Sequence, residues 1–136
     1  MTPNERTQAL ARVPVLAALS RSSLEQVAGV ATEFDAPAGQ VLIEPEATGS
    51  GMFVLVHGTA TVDVRGQATH ELEAGQCFGE LALLTPAALR TARVRAKTPV
   101  RCLAISRADF QKLLAEEPKL SLAMLETVAA RLAAHE

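Results

Sequence analysis

Tryptophan and tyrosine are absent, and four phenylalanines (Phe34, Phe53, Phe78, Phe110) are the whole aromatic content of the 136 residues. Proteins that hold single-stranded nucleic acid stack its bases on aromatic rings, and this chain is too poor in rings for such a platform. An excess of basic charge is also missing. Lys and Arg number 13 against 15 Asp and Glu, a net charge of −2, so no bulk cationic surface is available for nucleic acid. No apolar run approaches the ~18 residues of a membrane span. The N-terminus, MTPNERTQALAR, carries charge where a signal peptide has its apolar core. The only cysteines, Cys77 and Cys102, form neither a disulfide framework nor a zinc spacing. They are expected as small buried residues, and a reducing cytoplasm is the simplest location. His57, His70 and His135 lie far apart without ligand spacing, so no metal is expected. Asp63 and Glu71 have no partner at catalytic spacing, and nothing points to an enzyme. What remains is 49% apolar and 21% charged, a soluble globular composition. Its length suits one domain spanning residues 1–136.

The first thirty residues carry helical spacing. Pro3 and Glu5 suit a first turn, Leu10, Val13 and Leu16 or Ala17 keep the period, and Pro14 predicts a break. Ser22 and Ser23, before Leu24, predict the N-cap of a second helix reaching about Ala31, with Leu24, Val27 and Ala28 toward the core. From Thr32 the period becomes two. Strands fit Thr32–Phe34, Gln40–Glu44, Gly51–Val56, Thr59–Arg65 and His70–Leu72, punctuated by turn residues such as Pro37-Ala38-Gly39 and His57-Gly58. The apolar runs Val41–Ile43 and Phe53–Val56 are expected to be buried on both sides. In Thr91–Thr98, a small buried face (Ala92, Val94, Ala96) alternates with a cationic solvated one (Arg93, Arg95, Lys97). After a strand at about Val100–Ile105, Ser106 predicts the cap of a helix from Arg107 to about Ala115. Glu117-Pro118 starts a last helix with the stripe Leu120, Met124, Leu125, Val128 and Leu132. That stripe fits a core or, toward its end, a dimer seam. Many short strands between helical ends imply a mainly β fold, a barrel or jelly roll with flanking helices.

Chemistry concentrates in Gly75–Thr98, GQCFGELALLTPAALRTARVRAKT. Phe78-Gly79-Glu80-Leu81-Ala82-Leu83-Leu84 reads as one or two helical turns inside a β domain. Gly79 permits close approach of a ligand, and free N–H groups at a helix start suit an anion. Arg90 follows ten residues after Glu80, and its planar fork matches two oxygens of one phosphate. Glu80 beside a phosphate makes sense if its carboxylate accepts from a sugar hydroxyl. The ligand so described has one phosphate charge close to a free ribose hydroxyl. The bland alternative is a structural Glu80–Arg90 ion pair.

This stretch resembles the phosphate-binding cassette of cyclic nucleotide-binding domains, the family of the catabolite activator protein and protein kinase A regulatory subunits. The match runs through Phe78, Gly79, Glu80, Leu81, Ala82, Arg90, Ala92 and Val94, and AGQVLI (38–43) and FVLVHGTATV (53–62) also fit. The resemblance implies an eight-stranded β jelly roll (double-stranded β-helix) over residues 32–106, with the cassette at 75–98. N-terminal helices would occupy 1–31, a short cassette helix would follow Phe78, and two C-terminal hinge and lid helices would occupy 107–136. It implies that Glu80 binds the ribose 2′-hydroxyl and Arg90 the cyclic phosphate, with N–H groups of Gly79, Leu81 and Ala92 completing the pocket. Thr91 stands where cyclic GMP-dependent kinases use threonine to reach guanine, although some channels that favour cyclic AMP carry it too. Arg131 and His135 are candidate base contacts on the last helix.

Three departures stand out. Glu44-Pro45-Glu46-Ala47 lacks the family's glycine, Thr85–Leu89 relies on Pro86 for its bend, and nothing resembling a DNA-reading helix-turn-helix follows the last helix. The expected function is a cytoplasmic, non-catalytic sensor of cyclic AMP or cyclic GMP without a further cofactor. Binding would move the C-terminal helices, with Leu81 and Leu84 linking cassette to hinge. Its output would be a protein effector or self-association through the last helix, with no DNA-binding domain and no membrane. The competing expectation is a degenerate roll that binds no nucleotide and serves as an interaction or dimerisation module.

Overall fold

A computed structural model describes residues 1–14, 16–44, 51–64, 69–78 and 92–134, including all their side chains except 64, 78, 92, 127, 128, 131, 132 and 134. Thr2 opens α1 (Pro3–Ala11) with a capping box: the Glu5 N–H donates to Thr2 Oγ1 at 3.1 Å and the Thr2 N–H to Glu5 Oε1 at 2.9 Å. These bonds hold the Glu5 carboxyl below its ordinary range. Pro14 lies in the turns that separate α1 from α2 (Arg21–Val30). The cap of α2 is Ser20, whose Oγ accepts from the Ser23 N–H at 3.2 Å, rather than Ser22 or Ser23. Any of these hydroxyls could cap a helix, and the extended backbone at Ser20, φ −65° and ψ 160°, selects the first.

Eight strands follow among the described residues: β1 (Thr32–Ala36), β2 (Val41–Ile43), β3 (Gly51–His57), β4 (Ala60–Val64), β5 (His70–Leu72), β6 (Cys77–Phe78), β7 (Ala92–Ala96) and β8 (Val100–Ser106). Then come α3 (Arg107–Glu116) and α4 (Pro118–Ala134). The strands form two antiparallel four-stranded sheets, ordered β1-β8-β3-β6 and β2-β7-β4-β5. This is the strand order of a jelly roll.

Two apolar clusters define three layers. Leu10, Leu16, Leu24, Val27, Phe110, Leu113, Leu120 and Met124 pack on Met52, Val54, Leu103 and Ile105, so helices from both chain ends cover one face of the β1-β8-β3-β6 sheet. Its other face meets the second sheet through Ala36, Leu55, Val100 and Cys102 against Ile43, Ala60, Val62, Val94 and Ala96. The middle layer is therefore buried on both sides, which explains the continuous apolar runs of β3 and β8. Each fully buried Leu, Ile or Phe there contributes ~1.5–3 kcal/mol. On α4 the expected stripe divides: Leu120 and Met124 are buried and Leu125 is 65% exposed, while the side chains of Val128 and Leu132 are not among the described ones; Leu122, beside the stripe, is 57% exposed. Leu125 lies one residue past Met124, about 100° around the helix, and so leaves the buried face.

The two ends of the roll differ. At one end, tight turns join sheet to sheet: residues 37–40, Gly58-Thr59, 73–76 and 97–99. Gly58 has φ +90°, and a Cβ there would lie 2.3 Å from the Pro99 carbonyl oxygen, so glycine is required. At the other end, the mouth, lie the last residues of β2, β4 and β6 and the first residues of β3, β5 and β7, and there β8 runs into α3 with no residue between.

Candidate site at the mouth of the roll

Phe78 ends β6 in register with Phe53 of β3, and Ala92 begins β7 in register with Val64 of β4. Residues 79–91, on which the expected cassette falls, therefore link the two sheets in sequence between these anchors at the mouth. Of the expected site residues, Phe78 and Ala92 are placed by their backbones as its two anchors. Gly79, Glu80, Leu81, Ala82, Arg90 and Thr91 lie outside the described residues, as do Leu84, Pro45-Glu46-Ala47 and His135. Arg131 lies in α4.

Between the sheets, Leu55, Val62, Val94 and Cys102 are buried, while Phe34 and Phe53 remain half-buried at the margin of this cluster. Their rings meet edge to face, with centroids 5.7 Å apart and planes at 85°. Phe53 stands beside the Phe78 anchor, so an apolar surface reaches the start of the 79–91 connection.

The alternation read in β7 is present: Val94 and Ala96 are buried, and the cationic side chains occupy the opposite face. Their neighbours supply partners. Arg93 pairs with Glu44 at 3.3 Å, Lys97 with Glu71, and Arg95 Nη1 donates to the Gly39 carbonyl at 3.0 Å. Such contacts fit a solvated sheet face rather than a phosphate patch.

At the opposite end, the Arg101 fork donates to both Asp35 oxygens at 2.9 and 3.3 Å, and Glu33 lies 3.7 Å from its Nε. The hydrogen bond from Arg101 holds the Asp35 carboxyl below its ordinary range. An open groove of about 520 Å³ lies there, lined by Asp35, Pro37, His57, Pro99 and Arg101 among others, away from the mouth. Cys102 is fully buried between the sheets, and burial pushes its thiol up to about 11, leaving it protonated. Cys77 departs from the expectation: it is half-buried, because a residue on an edge strand is covered less completely. No group of three His, Cys, Asp or Glu side chains among the described residues is placed to hold a metal.

One contact had no signal in the sequence. The Ser23 hydroxyl donates to the Glu117 carboxylate across 94 positions, joining α2 to the α3–α4 junction. Local pattern cannot reveal a pair that only tertiary packing brings together.

Comparison with known proteins bears on the same region. The family model of the cyclic nucleotide-binding domain matches residues 33–117. A cyclic nucleotide-gated potassium channel of Rhizobium etli is 32% identical over 124 residues, covering 91% of this chain and 34% of the channel. The human potassium/sodium hyperpolarization-activated cyclic nucleotide-gated channel 1 is 38% identical over 91 residues, covering 67% of this chain and 10% of that protein. The chain thus spans about a third or less of these relatives. Among solved structures, cAMP-bound PfPKA-R (141–441) superposes with a TM-score of 0.79 at 23% identity, covering 88% of this chain and 42% of that one. The N-terminal domain of a transcriptional regulator from Streptomyces coelicolor A3(2) gives 0.74 at 27% identity, covering 94% of each. A match to 33–117 takes in the roll from β1 to α3, both anchors of the mouth and the connection between them: the chain belongs to the cyclic nucleotide-binding domain family.

Proposed function

We propose that this chain is a single domain, residues 1–136, that binds cyclic AMP or cyclic GMP as a non-catalytic regulatory sensor in the cytoplasm, without a further cofactor. The observation that carries the proposal is the anchoring of residues 79–91. Glu80 lies two positions from an anchor on one sheet and Arg90 two positions from an anchor on the other. A ligand engaging both would tie the two sheets together across the mouth. In this reading Arg90 neutralises the cyclic phosphate, and the N–H groups of Gly79, Leu81 and Ala92 add donors. Glu80 accepts from the ribose 2′-hydroxyl, and Thr91 tilts the choice of base. Arg131, on α4, and His135 would meet the base, while Phe78, Leu81 and Ala82 shape the cassette.

The binding signal would be movement of α3 and α4, a population shift toward the arrangement with higher ligand affinity. The gated channels among the relatives support a regulatory output. Leu122 and Leu125, exposed on α4, offer a surface for a protein effector or a second copy of the chain. No helix among the described residues is long and apolar enough to cross a membrane.

The test is calorimetric titration of the wild-type protein and Arg90→Ala with cyclic AMP and cyclic GMP. Ligand at about 100 times its Kd adds about 2.7 kcal/mol of stability. This corresponds to a rise in Tm on the order of 10 °C, readable by thermal scanning. Binding that Arg90→Ala removes is the expected result. A folded protein that binds neither nucleotide would overturn it in favour of an interaction module.

A further inference from the structure

Two hydroxyls and a carboxylate run in series through the helical layer. The Ser20 hydroxyl donates to Ser23 Oγ at 3.0 Å, and the Ser23 hydroxyl donates to the Glu117 carboxylate. The direction is fixed, because an ionised carboxylate only accepts and Ser23 has one proton to give. Ser23 is 5% exposed, so water is a poor substitute for this partner.

Glu117 is the residue between α3 and α4. Its φ of −124° and ψ of 92° break the helix. Its N–H closes α3 on the Leu113 carbonyl at 2.8 Å, and its own carbonyl receives the Leu120 N–H at 3.0 Å. One residue thus ends a helix, starts the next and is tied by its side chain to a third. Leu120 and Met124 share a core cluster with Leu24 and Val27, while Leu122 and Leu125 between and beyond them are exposed. The first turns of α4 are therefore seated on the same core as α2. Rotation about the Glu117 φ displaces its Cβ, and a side chain held by Ser23 resists that rotation.

We propose that the Ser23–Glu117 bond is a latch on the α3–α4 junction, making Ser23 a positioning residue for α4. The inference rests on the reading of α4 as the moving lid of a nucleotide sensor, and it adds the group that restrains the lid. Ser23→Ala removes the latch and keeps the α2 cap, which uses the Ser23 backbone N–H.

The experiment is hydrogen exchange of the whole chain, wild type, Ser23→Ala and Glu117→Gln, each with and without saturating cyclic AMP. The expected result is exchange about tenfold faster across residues 117–124 in Ser23→Ala, with α1 and β8 unchanged. Glu117→Gln, which keeps an acceptor oxygen but loses the charge, falls between. In the wild type, cyclic AMP alters exchange at 117–124, and in Ser23→Ala that response is lost. Faster exchange throughout the chain, or unaltered exchange at 117–124, would overturn the latch. So would a nucleotide response of undiminished size in Ser23→Ala. Selective acceleration in a protein that binds no nucleotide would preserve the latch and remove the sensor reading.

Discussion

At one end of the roll, Gly58-Thr59 alone join β3 to β4, and at the other, residues 79–91 separate β6 from β7. The short connections are governed by backbone geometry. Gly58 fits because no side chain does, and the Thr59 N–H is satisfied by Thr98 Oγ1 at 2.9 Å. Residues 79–91 instead form a connection with enough residues to carry the side chains proposed to meet a ligand. Closing a longer connection adds only slowly to the entropic cost, so a scaffold stapled at one end can carry a long segment at the other. The two ends divide the work: one defines the fold, and the other holds the residues proposed to bind.

Substitutions at the two ends should separate these roles. The largest effect is expected at the mouth. Arg90→Ala should weaken cyclic nucleotide binding about a thousandfold, some 4 kcal/mol, because it leaves a phosphate charge without its partner. Its unliganded Tm should stay within about 2 °C of wild type, and calorimetry beside thermal scanning measures both. Gly58→Ala should do the reverse. Collision with the Pro99 carbonyl, added to φ +90°, should cost roughly 3 kcal/mol of stability and leave affinity in the surviving folded protein unchanged. Gly39→Ala sharpens the point: at φ +91° with nothing within 4 Å of a Cβ, it should cost only ~1 kcal/mol. A Gly58→Ala no worse than Gly39→Ala would break the steric account.

The smallest effect concerns Asp35. Arg101 lowers its folded pKa, so its stabilisation is present above the unfolded pKa and is lost as pH falls through the folded one. Below about pH 4, Asp35→Asn should therefore show a shallower fall in Tm than wild type. The pair is exposed, so the difference should shrink further in high salt.

Much of this was legible in residue order. Helix starts were readable from Pro3 and Glu5 and from Ser106 and Asp109 because a helix start is local chemistry, completed within one turn. The period-two stretch of β7 showed its buried face directly. The Phe78–Val94 segment was recognisable because its spacing is a local pattern. Other features depended on distance. The cap of α2, Ser20 rather than Ser22 or Ser23, turned on backbone angles, and Leu125 left its stripe because the core meets the first turns of α4 along the narrower line of Leu120 and Met124. That both helical ends cover the same sheet follows from β1 and β3 flanking β8, a pairing that no short window contains.

The junction of β8 with α3 has a consequence for how the chain can vary in length. Ser106 is at once the last residue of the strand and the cap of the helix, so the two share one reading frame. A single residue inserted after it would turn α3 by about 100° and carry Phe110 and Leu113 away from the sheet they cover. The same insertion within residues 65–68 leaves the registers of β4 and β5 free to stay as they are. Natural length variants should gather in the latter segment and avoid the former, a pattern of tolerated indels that mirrors the mechanics of the roll.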